Sequence, residues 1–261
     1  MEALSLDEYL RALSDEGSRL RQVASGHLDA PVPSCPGWTV RDLVAHVGSV
    51  HRWATRFVAE GLERPTPEAS EAELLATGRS IDNLLEWSQL GHEALLDALR
   101  TAPADLQCWS FLPAPSPLVF WARRQAHETT IHRIDVELAA SIGRTATALT
   151  PVPVELAADG IAELLEGFLR RRRRDATTED EPSAGVVVVA EDAERTWTFR
   201  LVGRVVVPAE EPALGSFEVR GSAEQLYRML WNRRVDADEM LPGSGDLRRV
   251  WEERGVRITW E

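Results

Sequence analysis

The apolar periodicity of this 261-residue chain changes once, near residue 185, and that change limits what it can fold into. Before it, apolar side chains recur at helical spacing; after it, they alternate as in strands. Leu6, Tyr9, Leu10, Leu13, Leu20 and Val23 form one helical stripe over residues 5–25. Residues 26–38 are a Pro/Gly loop. A second helix starts with Thr39 as its cap and Asp42 three residues later, the spacing of a capping box, and runs to about Glu60. Gly61, Pro65 and Pro67 break the chain, and a third helix is expected over 72–100. A fourth opens with Ser116 as cap and Pro117 in its first turn, and stops at Gly143. Four long helices with breaks between them predict a four-helix bundle over residues 1–150.

One more helix is expected over 153–174, ending in the arginine run 170–174, which reads as a solvated helix end favoured by the C-terminal dipole. Residues 151–184 are therefore read as a connecting helix and linker. Val186 to Ala190, Trp197/Phe199/Leu201, Val205 to Val207 and Phe217/Val219 have the period of strands. Ser222 and Gln225 form a capping box for a helix over about 223–231, and a short helix near 246–253 and a strand over 256–260 close the chain. Residues 185–261 thus predict a small α+β domain, and the whole is a mixed, multi-domain α and α/β fold.

Charge narrows the partners. Forty-two acidic against 29 basic residues give a net charge of −13, which repels nucleic-acid backbones and anionic membranes. No apolar run reaches the ~18–20 residues of a membrane span. The N-terminus is acidic and amphipathic rather than a signal peptide, so a cytoplasmic location is expected. The chain contains no lysine, which excludes a Schiff-base or Walker lysine. Its two cysteines, Cys35 and Cys108, form neither a disulfide framework nor a CxxC pair, and read as small packing residues.

The chemistry lies in polar residues on stripes that should be buried. In the fourth helix Trp121, Gln125, Glu128, His132, Asp135 and Ala139 follow one another at spacings of 4, 3, 4, 3 and 4, while Arg123, Thr130, Arg133 and Glu137 read as the solvent face. A core stripe with a glutamate, a histidine and an aspartate is costly unless the groups are paired or ligate a metal. Glu128 and His132, four apart, converge on one face. In the second helix His46 is the one ionisable member of the stripe Leu43, His46, Val50, Trp53 and Phe57. Two imidazoles and a carboxylate with a position left open match a catalytic zinc site, and the set would also hold iron(II). The plainer reading is a core histidine hydrogen-bonded to Glu128 with His46 on the surface. His51 and His127 are each five residues from a candidate ligand and point about 140° away from it. The run HETTIH is not the HExxH of zinc proteases, since position 131 is Ile.

Two strings, PSCPGWTVRDLVAHVGSVHRW at 33–53 and FWARRQAHETTIHRIDVELA at 120–139, together resemble the amino-terminal domain of the mycothiol-dependent maleylpyruvate isomerase family. The resemblance implies a DinB-like metal-binding helix bundle whose zinc ligands are a His in the second helix and an E-x-x-x-H pair in the fourth. These positions match His46, Glu128 and His132. The carboxy half, from VRGSAEQLYRMLWNRR onwards, is similar to the family's sterol-carrier-like α+β domain. Catalysis in the family implicates an arginine there; Arg233 is its match, with Arg234 as the second candidate, a donor to the bound cosubstrate. The family often carries Gly before that arginine, where this chain has Asn232.

The resemblance implies zinc, or another divalent metal, and mycothiol as a thiol cosubstrate. The metal-bound thiolate adds to a small electrophile, in the isomerase a conjugated cis double bond, and Arg233 holds a substrate carboxylate. Asp135, one turn beyond His132, would orient that ligand. Thiol S-transfer would use the same site. Zinc-water hydrolysis without a thiol, or an apolar-ligand binder with a structural metal, are the other classes left open.

Overall fold

The computed structural model describes residues 4–65, 71–142, 149–171, 183–202, 205–213, 215–233, 241, 247, 249 and 251. The chain divides into two compact units, Met1–Thr150 and Pro151–Glu261. The N-terminal unit holds α1 (Leu6–Ala24), α2 (Val40–Glu60), α3 (Glu71–Ser80), α4 (Leu84–Thr101) and α5 (Pro117–Ala140). Local chemistry sets their starts. Ser5 with Glu8 and Thr39 with Asp42 form reciprocal capping boxes at α1 and α2. Ser116 accepts from the Val119 N–H at 3.2 Å, and Pro117 occupies the first turn of α5. Gly61 ends α2 in the left-handed conformation at φ 63°.

The third helix expected over 72–100 is two helices. Asn83, with φ −94° and ψ 60°, leaves the helical region between α3 and α4. The break lets both helices pack on α2 around Trp87. Its ring lies against Gly48 and Gly78, where a Cβ would collide with it, and the Arg52 guanidinium stacks on it at 3.7 Å.

α5 packs against both α1 and α2. The solvent face expected for it is therefore corrected: Thr130, Arg133 and Glu137 are buried. Arg133 donates to Glu16 of α1 at 2.5 Å, to Glu137 at 2.8 Å and to the Thr150 carbonyl at 2.8 Å.

The C-terminal unit begins with α6 (Val154–Ala162), a π-helical stretch (Glu163–Phe168) and a last turn, α7 (Leu169–Arg171). Strands β1 (Ser183–Ala190), β2 (Arg195–Val202), β3 (Val205–Pro208) and β4 (Phe217–Gly221) form a sheet of order β3-β2-β1-β4, antiparallel except for the parallel β1–β4 pair. β2 keeps the alternation read from sequence, with Trp197, Phe199 and Leu201 inward. The central strand β1 buries three consecutive valines, Val186 to Val188. α8 (Ala223–Leu230), capped by the Ser222–Gln225 box, packs on α6, where Gly160 admits the Tyr227 ring with no room for a Cβ. The Trp231 indole also donates to the Gly160 carbonyl at 3.1 Å.

The closing strand expected over 256–260 and Arg172 to Arg174 of the arginine run lie outside the described residues. Among the described residues no helix is long and apolar enough to cross a membrane.

Candidate metal centre

The two stripes meet where α2 crosses α5. His46 Nε2 lies 3.1 Å from Glu128 Oε1, and His132 Nε2 lies 3.2 Å from the same oxygen. Among the described residues, His46, Glu128 and His132 are the group of His, Cys, Asp or Glu side chains that converges on one point, with one donor atom from each lying within 4.8 Å of the others. All three are buried. A tetrahedral ion bonded at ~2.0–2.2 Å needs donors ~3.3–3.6 Å apart, so small side-chain shifts suffice to seat one. The donor set, two imidazole nitrogens and a carboxylate oxygen, suits zinc or iron(II).

The surroundings hold the donors in place. Asp135, fully buried, accepts from His132 Nδ1 at 2.9 Å through Oδ2, a contact that would orient His132 as a ligand. Ser34, in the loop before α2, donates to the other oxygen of Asp135 at 2.5 Å. Arg124 donates to Glu128 Oε2 at 2.8 Å, leaving Oε1 turned to the histidines. The Trp38 ring meets His46 edge-on, with centroids 5.3 Å apart.

Electrostatics follow from this arrangement. Burial alone would raise the Glu128 carboxyl, but His132, His46 and Arg124 hold it well below the usual carboxylate range. Burial opposes the charged form of His132, yet Glu128 and Asp135 outweigh it and raise its pKa to about 8. For His46 burial wins, and its pKa falls below the ordinary value despite the hydrogen bond to Glu128. Glu128 is thus held anionic, and the charged form of His46 is disfavoured, the states in which each could ligate a metal.

His51 and His127 stay outside the cluster. His51 Nε2 pairs with Thr129 Oγ1 at 2.9 Å, and His127 meets Tyr9 edge-on. Cys35 and Cys108 are half-buried, form no disulfide and are not members of the converging group, and burial pushes the Cys108 thiol up. Trp53, Phe57, Trp109, Phe111, Phe120 and Trp121 pack as one aromatic cluster in the N-terminal unit, with Phe57 stacked on Trp121 at 5.0 Å.

Two residues escaped the stripe argument. Arg124 and Ser34 lie off it, and their partnerships are visible only in three dimensions. Gln125, which lies on it, is 1% exposed, and its Oε1 has no hydrogen-bond partner among the described residues. In the C-terminal unit Arg233 follows α8. Its backbone N–H returns to the Arg228 carbonyl at 2.8 Å, that of Asn232 to Met229 at 3.0 Å, and Asn232 is left-handed at φ 61°. These two bonds form a Schellman motif, which asks for Gly or Asn at residue 232. Asn232 thus takes a left-handed conformation that glycine also adopts readily. The Arg233 guanidinium donates to the Trp231 carbonyl at 2.7 Å. Arg234 lies outside the described residues.

Residues 10–137 match the family model of the mycothiol maleylpyruvate isomerase N-terminal domain, and residues 155–251 match that of the MDMPI C-terminal domain. Among solved structures, the mycothiol-dependent maleylpyruvate isomerase superposes with a TM-score of 0.62 at 20% identity, covering 93% of this chain and 98% of that one. A point mutant of that isomerase gives a TM-score of 0.63 at 18% identity, with the same coverage. At these identities the likeness is one of fold. No curated protein matches the sequence.

Proposed function

The chain belongs to the mycothiol maleylpyruvate isomerase family, and from that premise we propose that it is a metal-dependent isomerase that uses mycothiol on a small, carboxylate-bearing electrophile of the maleylpyruvate type. The observation that carries this reading is the convergence of His46, Glu128 and His132 on one buried point, inside the segment matched by the family's N-terminal model. A zinc ion held by these residues supplies Lewis acidity, which keeps a thiol ionised near neutral pH, where a free thiol of pKa ~8.5 is mostly protonated.

The chain's own side chains do the positioning. His46 and His132 offer Nε2 and Glu128 offers Oε1. Asp135 fixes the proton of His132 on Nδ1, and Arg124 occupies the second oxygen of Glu128. Neither cysteine belongs to the converging group, so the nucleophilic sulfur comes from the cosubstrate. Its lone pair forms a C–S bond at one carbon of the conjugated cis double bond, and the π pair moves onto the conjugated carbonyl. The former double bond is then single and rotates. The pair returns, the C–S bond breaks, and the trans isomer and the thiolate leave with no oxidant, reductant or net proton consumed. Arg233 is the proposed partner of the substrate carboxylate, a role its planar fork of donors suits, and Arg234 a donor to mycothiol. Both substrates are small molecules, and the reaction is assigned to the cytoplasm.

Cobalt-substituted protein tests this. Adding mycothiol should produce a thiolate-to-metal charge-transfer band, which Glu128→Ala abolishes and Cys108→Ala leaves intact. An unchanged spectrum at millimolar mycothiol would overturn the thiol mechanism.

A further inference from the structure

The loop joining α1 to α2 does more than connect them. It is closed by a bridge between Pro31 and Thr39, by the Val32 N–H on the Trp38 carbonyl at 2.9 Å, and by the Val40 N–H on the Ala30 carbonyl at 2.9 Å. Inside it, the N–H groups of Cys35 and Trp38 return to the carbonyls of Val32 and Cys35 at 3.1 and 3.0 Å, and Gly37 takes φ 87°. The loop is thus fixed by its own backbone, and it presents one side chain to a candidate ligand and another to that ligand set's support. Trp38 lies edge-on to His46. Ser34, which follows Pro33, reaches 101 residues ahead in sequence and donates its hydroxyl to Asp135 Oδ1 at 2.5 Å.

We infer that Ser34 is a positioning residue for the metal centre: acting through Asp135, it fixes the tautomer and ring orientation of His132. The inference rests on the metal reading above. Asp135 is buried and has two oxygens to satisfy. Ser34 takes Oδ1, and His132 Nδ1 takes Oδ2 at 2.9 Å. Each oxygen then has its own donor, and the carboxylate plane cannot turn without breaking a bond. Asp135 accepts, so Nδ1 must carry a proton, and Nε2 is the nitrogen left for a metal to take. That nitrogen faces Glu128 Oε1 at 3.2 Å, where the ligand set converges. Without the Ser34 hydroxyl, Oδ1 loses that donor, and Asp135 gains a reason to rotate toward another. The imidazole loses its fixed partner with it. Partners of this kind typically change metal affinity by about 10–100-fold.

Zinc affinity by chelator competition, in a double-mutant cycle, tests this. Ser34→Ala should weaken zinc binding by about 10–100-fold, and Ser34→Thr, which keeps a hydroxyl, should restore it to within about threefold of wild type. In an Asp135→Asn background Ser34→Ala should add less than about twofold, because the path to His132 is already cut. A general loosening of the loop would instead weaken binding equally in both backgrounds, and that additivity would overturn the inference. So would a Ser34→Ala protein that binds zinc as tightly as wild type. If wild type itself binds no zinc, the metal reading falls and takes this one with it, an outcome distinct from wild type binding and Ser34→Ala binding equally well.

Discussion

α5 carries ionisable residues on opposite faces, and what surrounds them separates their tasks. Glu128, His132 and Asp135 face a point where three donor atoms converge. Arg133, one residue on from His132, is buried on the other side, where Glu16 and Glu137 neutralise it. Removing Arg133 from this set strands two buried carboxylates, at about 3–5 kcal/mol. Arg133→Met should therefore lower the unfolding free energy in urea by several kcal/mol while metal content stays at the wild-type level; loss of metal without loss of stability would contradict this division. A second buried group gives the protein an acid limit. Arg21 can only donate and the Leu13 carbonyl can only accept, so the contacts at 3.1 and 2.9 Å fix His92 as the neutral ring with its proton on Nε2. Burial, and then Arg21, lower its pKa to about 4, and burial and His92 push the neighbouring His51 well below its usual value. The unfolded chain takes up these protons near pH 6.5 and the folded chain does not. Stability is therefore full above pH 6.5 and drains as pH falls toward 4, by roughly 3 kcal/mol for His92 alone. Metal-free His92→Gln should lose less stability than wild type between pH 7 and 4; equal losses would contradict the assignment.

At the scale of elements, what could be read from sequence was what the chain decides locally. The boxes at Thr39/Asp42 and Ser222/Gln225 join residues three apart, and both stand as expected. The strand alternation of β2 and the stripes of α2 and α5 are also local, and they brought His46, Glu128 and His132 together on paper before the fold did. The break at Asn83 was hidden because apolar residues keep helical spacing on both sides of it; only the Trp87 ring, wedged against α2 and α3, requires it. The burial of Arg133 was hidden because a helix with one charged face reads as amphipathic, whereas α5 is covered by α1 as well. Glu16, on the buried side of α1, was the signal, and its partner lies 117 residues away. Ser34 and Arg124 were missed for a similar reason, since nothing in their own sequence neighbourhood marks them. The departure at Asn232 resolves in the same terms: the end of α8 needs a left-handed residue, and Asn adopts that conformation at small cost. Asn232→Gly should leave thermal stability and KM near wild type. Asn232→Val should cost about 1–2 kcal/mol in unfolding free energy and, by redirecting Arg233, raise KM for a carboxylate substrate more than it lowers kcat. Equal behaviour of the two variants would contradict the role given to this turn.

Over the whole molecule, the chain pairs a helical unit that gathers metal donors with an α+β unit that carries the arginine of interest. The chain matches the models of both domains of one enzyme family, and the proposed chemistry rests on three side chains from two helices. A net charge of −13 does not oppose an anionic substrate, because a divalent ion held by His46, Glu128 and His132 would set the field around itself. The measurement that bears most directly on this account is the metal content of purified protein, wild type beside His46→Ala. The account expects about one equivalent of a divalent ion, most readily zinc, in wild type, and under about a tenth of that in a folded His46→Ala protein, since two remaining ligands do not close a site. A His46→Ala protein that retains a full equivalent of metal would contradict it.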